Sequence, residues 1–485
     1  MADNGERIGE RITKSFPVFD CDAHVNDPLE IWERYVPREK QDLVRQTYFR
    51  TDEAAFVNGT TRCIGGGNAE FAPMYNPILI AGPQMNKKIM RKLISMMPLT
   101  DEQREYVRHA GGFDGAARLK EMDLMGIDQV LVIPTMVIMN LPFAENPEGV
   151  DVFCRAYNDW AQDWCTQYPD RLFAAGLLPL QDPVRAEKEV RRVKDLGFPV
   201  GLVRPIDARG AYPNDIGRVL ASGAQEDGPM EPLFRAFEET GLVLGMHTFP
   251  AGVMGRTAFP GALSSPGELL NQAGVDSQTL SFIFEMQTWL AQVLLGGFLD
   301  RYRNLKMALF ESNSQWLPYM LETCDRLFRL YANERQVKAE RLPSEAFYEQ
   351  CVISFESDEE PTMVQWDRFD RIGIWASDCY HHDGADAWSA IRAMRRVGVP
   401  EDTQARLMGG NACRIYGIEP RSCVSTEPPP IVRPDWFPQG RELEEWADIV
   451  AHPREHMVDI EQGGIVAGQP VDIAASARMR RQGAY

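Results

Sequence analysis

Six residues of this chain, Asp22, His24, His247, Glu311, Glu356 and Asp378, stand at or just past the end of short apolar runs, where ionisable groups have no ordinary place in a core. The sharpest local pattern is Asp20-Cys21-Asp22-Ala23-His24. Alternate residues of a strand share a side, so Asp22 and His24 face the same way, and Asp20 has the same parity. His247, one of 7 histidines, closes the otherwise apolar run LVLGMH, and Asp378 closes IGIWASD. Carboxylates crowded into one cavity repel and take up protons, whereas a divalent cation turns that repulsion into ligation. A lone histidine at a strand end is more often a hydrogen-bonded core residue, and Asp378 could cap a following helix, as could Asp383 or Asp386. Those readings weaken once the groups are brought together by one fold.

The elements that must do this are legible as eight β-rich runs: Pro17 to Asp22, Gln129 to Pro134, Leu172 to Pro179, Val200 to Arg204, Leu242 to His247, Leu305 to Glu311, Cys351 to Glu356 and Ile372 to Asp378. Between them, Pro183 to Leu196, Glu231 to Thr240, Leu280 to Leu295, Gln315 to Tyr331 and Asp386 to Val397 repeat apolar residues at helical spacing. Right-handed crossovers then leave a barrel or a doubly wound sheet, and eight strands suit a closed (β/α)8 TIM barrel. In such a barrel the C-terminal strand ends share one rim, which is where the six residues fall. Residues 27–112 interrupt the repeat after the first strand and read as a cap inserted over the barrel mouth. The expected organisation is a barrel over residues 1–418 and an extended C-terminal tail over 419–485, whose EPPPIVRP has little periodicity.

Bulk properties narrow the function. A net charge of −19 over 485 residues disfavours nucleic acid and anionic membrane as partners, since both demand basic patches. No run of apolar residues is long enough for a membrane span, and the opening MADNGERIGERITKSFPVF lacks the apolar stretch of a secretory signal, so the expectation is a soluble cytoplasmic protein. The 9 cysteines are scattered without a CxxC pair, which argues against a disulfide framework or a thiolate zinc site. The glycines at 65–67 follow no strand and open no helix, so they do not read as a nucleotide loop.

Four segments together resemble a known family: FDCDAHVNDPLEIWERYVP, LGMHTFP, NLKMALFESNSQWLPYMLETCDRL, and the pair IWASDCYHHDG with GGNACRIYGI. The family is the amidohydrolase 2, or amidohydrolase-related, branch typified by aminocarboxymuconate-semialdehyde decarboxylase, and the resemblance runs from about Phe19 to Ile418. It implies a distorted (β/α)8 barrel with a metal held by the matching residues Asp22, His24, His247 and Asp378, and it puts His381 at a usual family position. Two departures stand out. Asp22 replaces a histidine that many members carry, and Glu311 stands where the decarboxylase type has a histidine that helps activate water. No lysine ends VGLVRP, so the carboxylated-lysine bridge of binuclear hydrolytic members is missing, and Glu311 becomes the candidate bridge for any second metal.

Two mechanisms follow. In the first, one divalent ion, zinc or manganese, serves hydrolysis or decarboxylation of a small carboxylate-bearing substrate, with Asp378 or Glu311 as general base and His381 donating a proton or orienting the substrate. Arg204, ending the fourth strand, is either a clamp for a substrate carboxylate or the partner of a neighbouring acid. In the second, Glu311 with His381 or His382 completes an oxygen-rich dinuclear iron and manganese centre that activates dioxygen, as the resemblance to an iron/manganese α-aminoisobutyrate hydroxylase implies. A non-catalytic subunit beside an active paralogue is the third reading, set against the intact ligand set. The expected partners are a small-molecule substrate and a second copy or a paralogous subunit.

Overall fold

Runs that are apolar on both faces become strands covered on both faces. In the computed structural model, β1 (Phe19–Val25), β2 (Gln129–Pro134), β3 (Leu172–Leu177), β4 (Val200–Val203), β5 (Val243–His247), β6 (Met307–Phe310), β7 (Cys351–Phe355) and β8 (Gly373–Trp375) form one sheet in sequence order. All seven adjacent pairs are parallel. The structure describes residues 12–451 apart from 26–29, 49–92, 205–216, 220–224, 249–278, 280–281 and shorter gaps of one or two residues.

The sheet closes on itself. Asp378 N donates to Asp22 O at 3.0 Å, His24 N to Cys379 O at 2.6 Å, and Asp20 accepts from Ser377 N at 2.9 Å and Ser377 Oγ at 2.5 Å. The chain is a (β/α)8 barrel. Its outer layer is α1 (Gly115–Met125), α2 (Pro147–Cys165), α3 (Pro183–Asp195), α4 (Glu231–Thr240), α5 (Phe282–Leu295), α6 (Leu317–Leu330), α7 (Pro343–Gln350) and α8 (Ala387–Arg396). Local chemistry sets their ends: Asp114, Asn146, Asp182 and Asp386 accept backbone N–H groups at the starts of α1, α2, α3 and α8. Gly126 and Gly241 take the left-handed conformation that ends α1 and α4. Because Asp386 caps α8, Asp378 is left for other work.

Most strands are a residue or more shorter than the apolar runs suggest, β6 and β8 by the most. Glu311 (φ 47°) and Asp378 (φ 49°) both adopt left-handed backbone, which an extended ladder cannot continue. β6 therefore stops at Phe310, while β8 already ends at Trp375, three residues before Asp378. In the segment read as a cap, residues 49–92, including the glycines at 65–67, lie outside the described residues. Around them, Gln41–Tyr48 and Asp101–Val107 are helical.

Past Ile418 the chain crosses the N-terminal end of β2, opposite the rim. Asp128 Oδ1 accepts from Cys423 N at 2.6 Å and Val424 N at 2.9 Å, while Oδ2 accepts from Val18 N at 2.8 Å and from Lys14 Nζ. One carboxylate thus joins the segments flanking the barrel at both ends of the described chain. A helix α9 (Gly440–Ala451) follows, and residues 452–485 lie outside the described residues. Among the described residues no helix is long and apolar enough to cross a membrane.

Lys14 is only 4% exposed, and burial lowers its pKa against the opposing pull of Asp128. Asp128→Ala would strand that ammonium, at a cost of about 3–5 kcal/mol. We expect a matching fall in the urea midpoint with metal content retained; an unchanged midpoint would show that the ion pair does not hold the barrel floor.

Candidate metal centre

β1 presents Asp22 and His24, β5 presents His247 at its last position, and the turn after β8 presents Asp378. His24 Nε2 lies 3.3 Å from Asp22 Oδ1 and 3.4 Å from Asp378 Oδ1. His247 Nε2 lies 3.6 Å from Asp22 Oδ2 and 3.7 Å from Glu311 Oε2. One donor atom from each of Asp22, His24 and His247 falls within 4.8 Å of the others, and the same holds for His24, Asp378 and His381. These four expected ligands are at most 2% exposed. His381 Nδ1 is 2.8 Å from Asp378 Oδ1, and its ring stacks on His24 with centroids 3.8 Å apart.

The protonation pattern suits a cation. His247 Nδ1 sits 2.6 Å from the Thr248 carbonyl, a bond that only a protonated Nδ1 can make, so in the neutral ring the Nε2 lone pair faces the carboxylates of Asp22 and Glu311. Burial drives His247 down to about 4, which keeps the ring neutral near pH 7. Burial also raises Asp22. Asp22 Oδ1 and His247 Nε2 make no hydrogen bond, and leaving buried polar atoms unsatisfied costs about 1–3 kcal/mol each. A lone pair pointed at carboxylate oxygens is repulsive unless a positive ion sits among them. Hard oxygens with imidazole nitrogen suit manganese, zinc or iron, so the donor set fits a divalent ion.

The strained residues are pinned. Glu311 N donates to Ser354 Oγ at 3.1 Å, and Thr248 Oγ1 donates to Glu311 O at 2.5 Å. Ser314, just beyond, gives its N–H at 2.8 Å and its hydroxyl at 2.9 Å to the buried carboxylate of Glu359. Left-handed backbone at non-glycine residues is held by such surroundings and gathers at functional sites. Asp20, whose parity matched the ligands, spends its carboxylate on Ser377 instead, and burial pushes its pKa up to about 7.

Arg204 stands one residue past Val203, which pairs with Met246, and so lies at the rim beside His247. Its Nη2 is 2.7 Å from Glu285 Oε1 of α5 in a buried ion pair. Glu356 is half-buried, gives its N–H to Glu359 at 3.0 Å, and is not among the grouped donors; His382 lies outside the described residues. Sequence reasoning did not reach Thr248, Ser354, Ser377, Glu285 or Glu359. Thr248 and Ser377 had a signal, being polar neighbours of proposed ligands; Glu285 and Glu359 had none, because nothing in α5 or after β7 marks which acid turns inward.

The sequence model of the family described as amidohydrolase matches residues 19–418. The chain is 37% identical over 95 residues to the gamma-resorcylate decarboxylase of Rhizobium radiobacter, a stretch that is 19% of this chain and only 28% of that protein's length. Its fold is similar to that of 5-carboxyvanillate decarboxylase from Sphingomonas paucimobilis, with TM-score 0.54 and 20% identity over 84% of this chain and 100% of the other. The 5-carboxyvanillate decarboxylase from Novosphingobium aromaticivorans, solved with manganese and 4-hydroxy-3-methoxy-5-nitrobenzoic acid, gives TM-score 0.54 at 16% identity over 84% of this chain and 99% of the other. At these identities the likeness to solved structures concerns the fold.

The donor set makes a direct prediction. His247→Ala and Asp378→Asn should each lose bound metal, measured by elemental analysis of folded protein, while Glu356→Gln should keep it. Full occupancy in either of the first two would remove that residue from the ligand set.

Proposed function

Because this chain belongs to the amidohydrolase family, we propose that it is a metal-dependent enzyme that decarboxylates, or with the same centre hydrolyses, a small carboxylated substrate of aromatic type. The observation that carries the reading is the His247 Nε2 lone pair facing Asp22 and Glu311 in a buried rim pocket. The similar proteins named as gamma-resorcylate and 5-carboxyvanillate decarboxylases favour decarboxylation.

A manganese or zinc ion held by Asp22, His24, His247 and Asp378, with Glu311 beside them, would supply Lewis acidity and an anchor for an anionic substrate oxygen. The chain's own residues do the rest. Loss of CO2 from an arene carboxylate needs a proton at the carbon that bears it: the ring gives the electron pair of the new C–H bond, and the breaking C–C bond returns a pair to the ring. Asp378 Oδ1 and His381 Nδ1, 2.8 Å apart, hold that proton between them, and the His381 side chain, 20% exposed, opens the pair to solvent exchange. Glu311 is the base for the hydrolytic variant, where a water must lose a proton. Arg204, held at the rim by Glu285, receives a second anionic group of the substrate.

We read residues 27–112 as a cap that shapes the substrate space and 419–485 as an extended tail suited to a second copy or a paralogous subunit. The eight described cysteines are all free thiols, which supports a reducing, cytoplasmic setting. The alternative is a dinuclear iron and manganese oxygenase, in which Asp378 and His381, grouped with His24, would help to hold a second ion.

The deciding experiment follows CO2 release and oxygen uptake by metal-stripped protein reconstituted with manganese, zinc or iron, over hydroxybenzoic acids and aryl amides. We expect CO2 release with manganese or zinc, no oxygen uptake, and a fall of about 10²–10⁴-fold in Asp378→Asn. Amide cleavage without CO2 release would move the reaction to hydrolysis; oxygen consumption with iron would overturn the proposal for the oxygenase.

A further inference from the structure

Arg118 of α1 is 1% exposed, and the chemistry above makes no use of it. A buried guanidinium needs partners, and this one finds them in separate parts of the chain. Its Nε donates to Gly111 O at 2.8 Å, and its Nη2 donates to the carbonyl of His24. Its Cζ lies 4.6 Å from the centroid of the Tyr380 ring, on the turn that carries Asp378 and His381. Glu121, one turn along α1, accepts from Gly111 N at 3.3 Å, and its carboxylate shares with the Tyr380 hydroxyl the space beside Gly111. The packing leaves no slack: a Cβ on Gly111 would collide with both the Tyr380 hydroxyl and the Glu121 carboxylate.

We propose that Arg118, with Glu121 and Tyr380, forms a positioning cluster that sets the donor atoms of His24 and Asp378 at the spacing a divalent ion requires. The inference rests on the metal reading above. His24 and Asp378 belong to β1 and to the turn after β8, and their donors meet 3.4 Å apart across the closing seam. Arg118 touches both sides of that seam, through the His24 carbonyl and the Tyr380 ring. A flat guanidinium spans two carbonyls while stacking on a ring; a lysine ammonium, a point charge, does not do both. The cluster also ties the seam to residues Ala110–Gly112, the short turn of helix that precedes α1.

The test is manganese binding to metal-stripped protein, followed by electron paramagnetic resonance, alongside melting of the metal-free protein. Arg118→Lys should weaken manganese binding about 10–100-fold and alter the spectrum of the bound ion. Tyr380→Phe, which loses only the hydroxyl, should weaken it severalfold at near wild-type melting temperature. Arg171→Lys is the control: that arginine holds the turn before β2 through the carbonyls of Ile127 and Asp128, each at 2.9 Å, so its loss should lower melting and leave manganese affinity alone. Wild-type affinity and spectrum in both Arg118→Lys and Tyr380→Phe would overturn the inference, as would equal weakening in Arg171→Lys. If Arg118→Lys does not fold, Tyr380→Phe decides. A wild-type protein that binds no manganese, zinc or iron would instead sink the metal reading itself.

Discussion

Buried like charges cannot stay close without something between them, and that constraint organises this molecule from the rim downward. Asp22, Asp378 and Glu311 converge at the rim around the imidazoles of His24 and His247, at or just past the ends of apolar strands. The barrel delivers them because its strand ends share a rim, and it holds them because the backbone at Asp22 and Asp378 bonds directly across the seam. Charge chemistry and closure are therefore one problem, solved by the same few residues. Asp20 shows the economy of the arrangement, since its carboxylate fastens the seam two residues away from a ligand.

Much of this was legible in the sequence because burial leaves a coarse trace. A parallel strand covered on both faces must be apolar throughout, so a polar residue at its end is conspicuous, and Asp22, His24, His247 and Asp378 were visible for that reason. Helix boundaries were legible where capping chemistry is local, as at Asp182 and Pro183. What stayed hidden depends on approach in space. Parity alone could not say that Asp20 would face Ser377 while Asp22 faced the pocket, nor that Arg204 would meet Glu285 from a helix 81 residues later. The left-handed backbone at Glu311 and Asp378 was equally invisible, since neither residue is glycine.

Rim and floor divide the labour. Catalytic candidates occupy the C-terminal strand ends, while Asp128, Gln129 and Arg171 gather carbonyls, N–H groups and the post-418 segment at the N-terminal ends. The two layers share strands but few side chains. Asp22 and Glu311 both reach the rim, where their two carboxylates face His247 and make the donor set strongly anionic. A more anionic pocket binds a cation more strongly and is poorer at holding a second anion, which leaves a counterweight such as Arg204 with more to do.

The seam also dictates when the site can exist. Asp22 lies in the first strand and Asp378 just past the last, so their juxtaposition requires the longest loop closure in the barrel, and long-range contacts form late because their entropy cost precedes their reward. A nascent or half-folded chain, with β8 not yet docked on β1, holds its donors as scattered single groups with little hold on any ion. The choice of metal is thereby deferred to the finished barrel, whose spacing does the selecting, and a cellular ion that grips the first donor it meets gains no advantage.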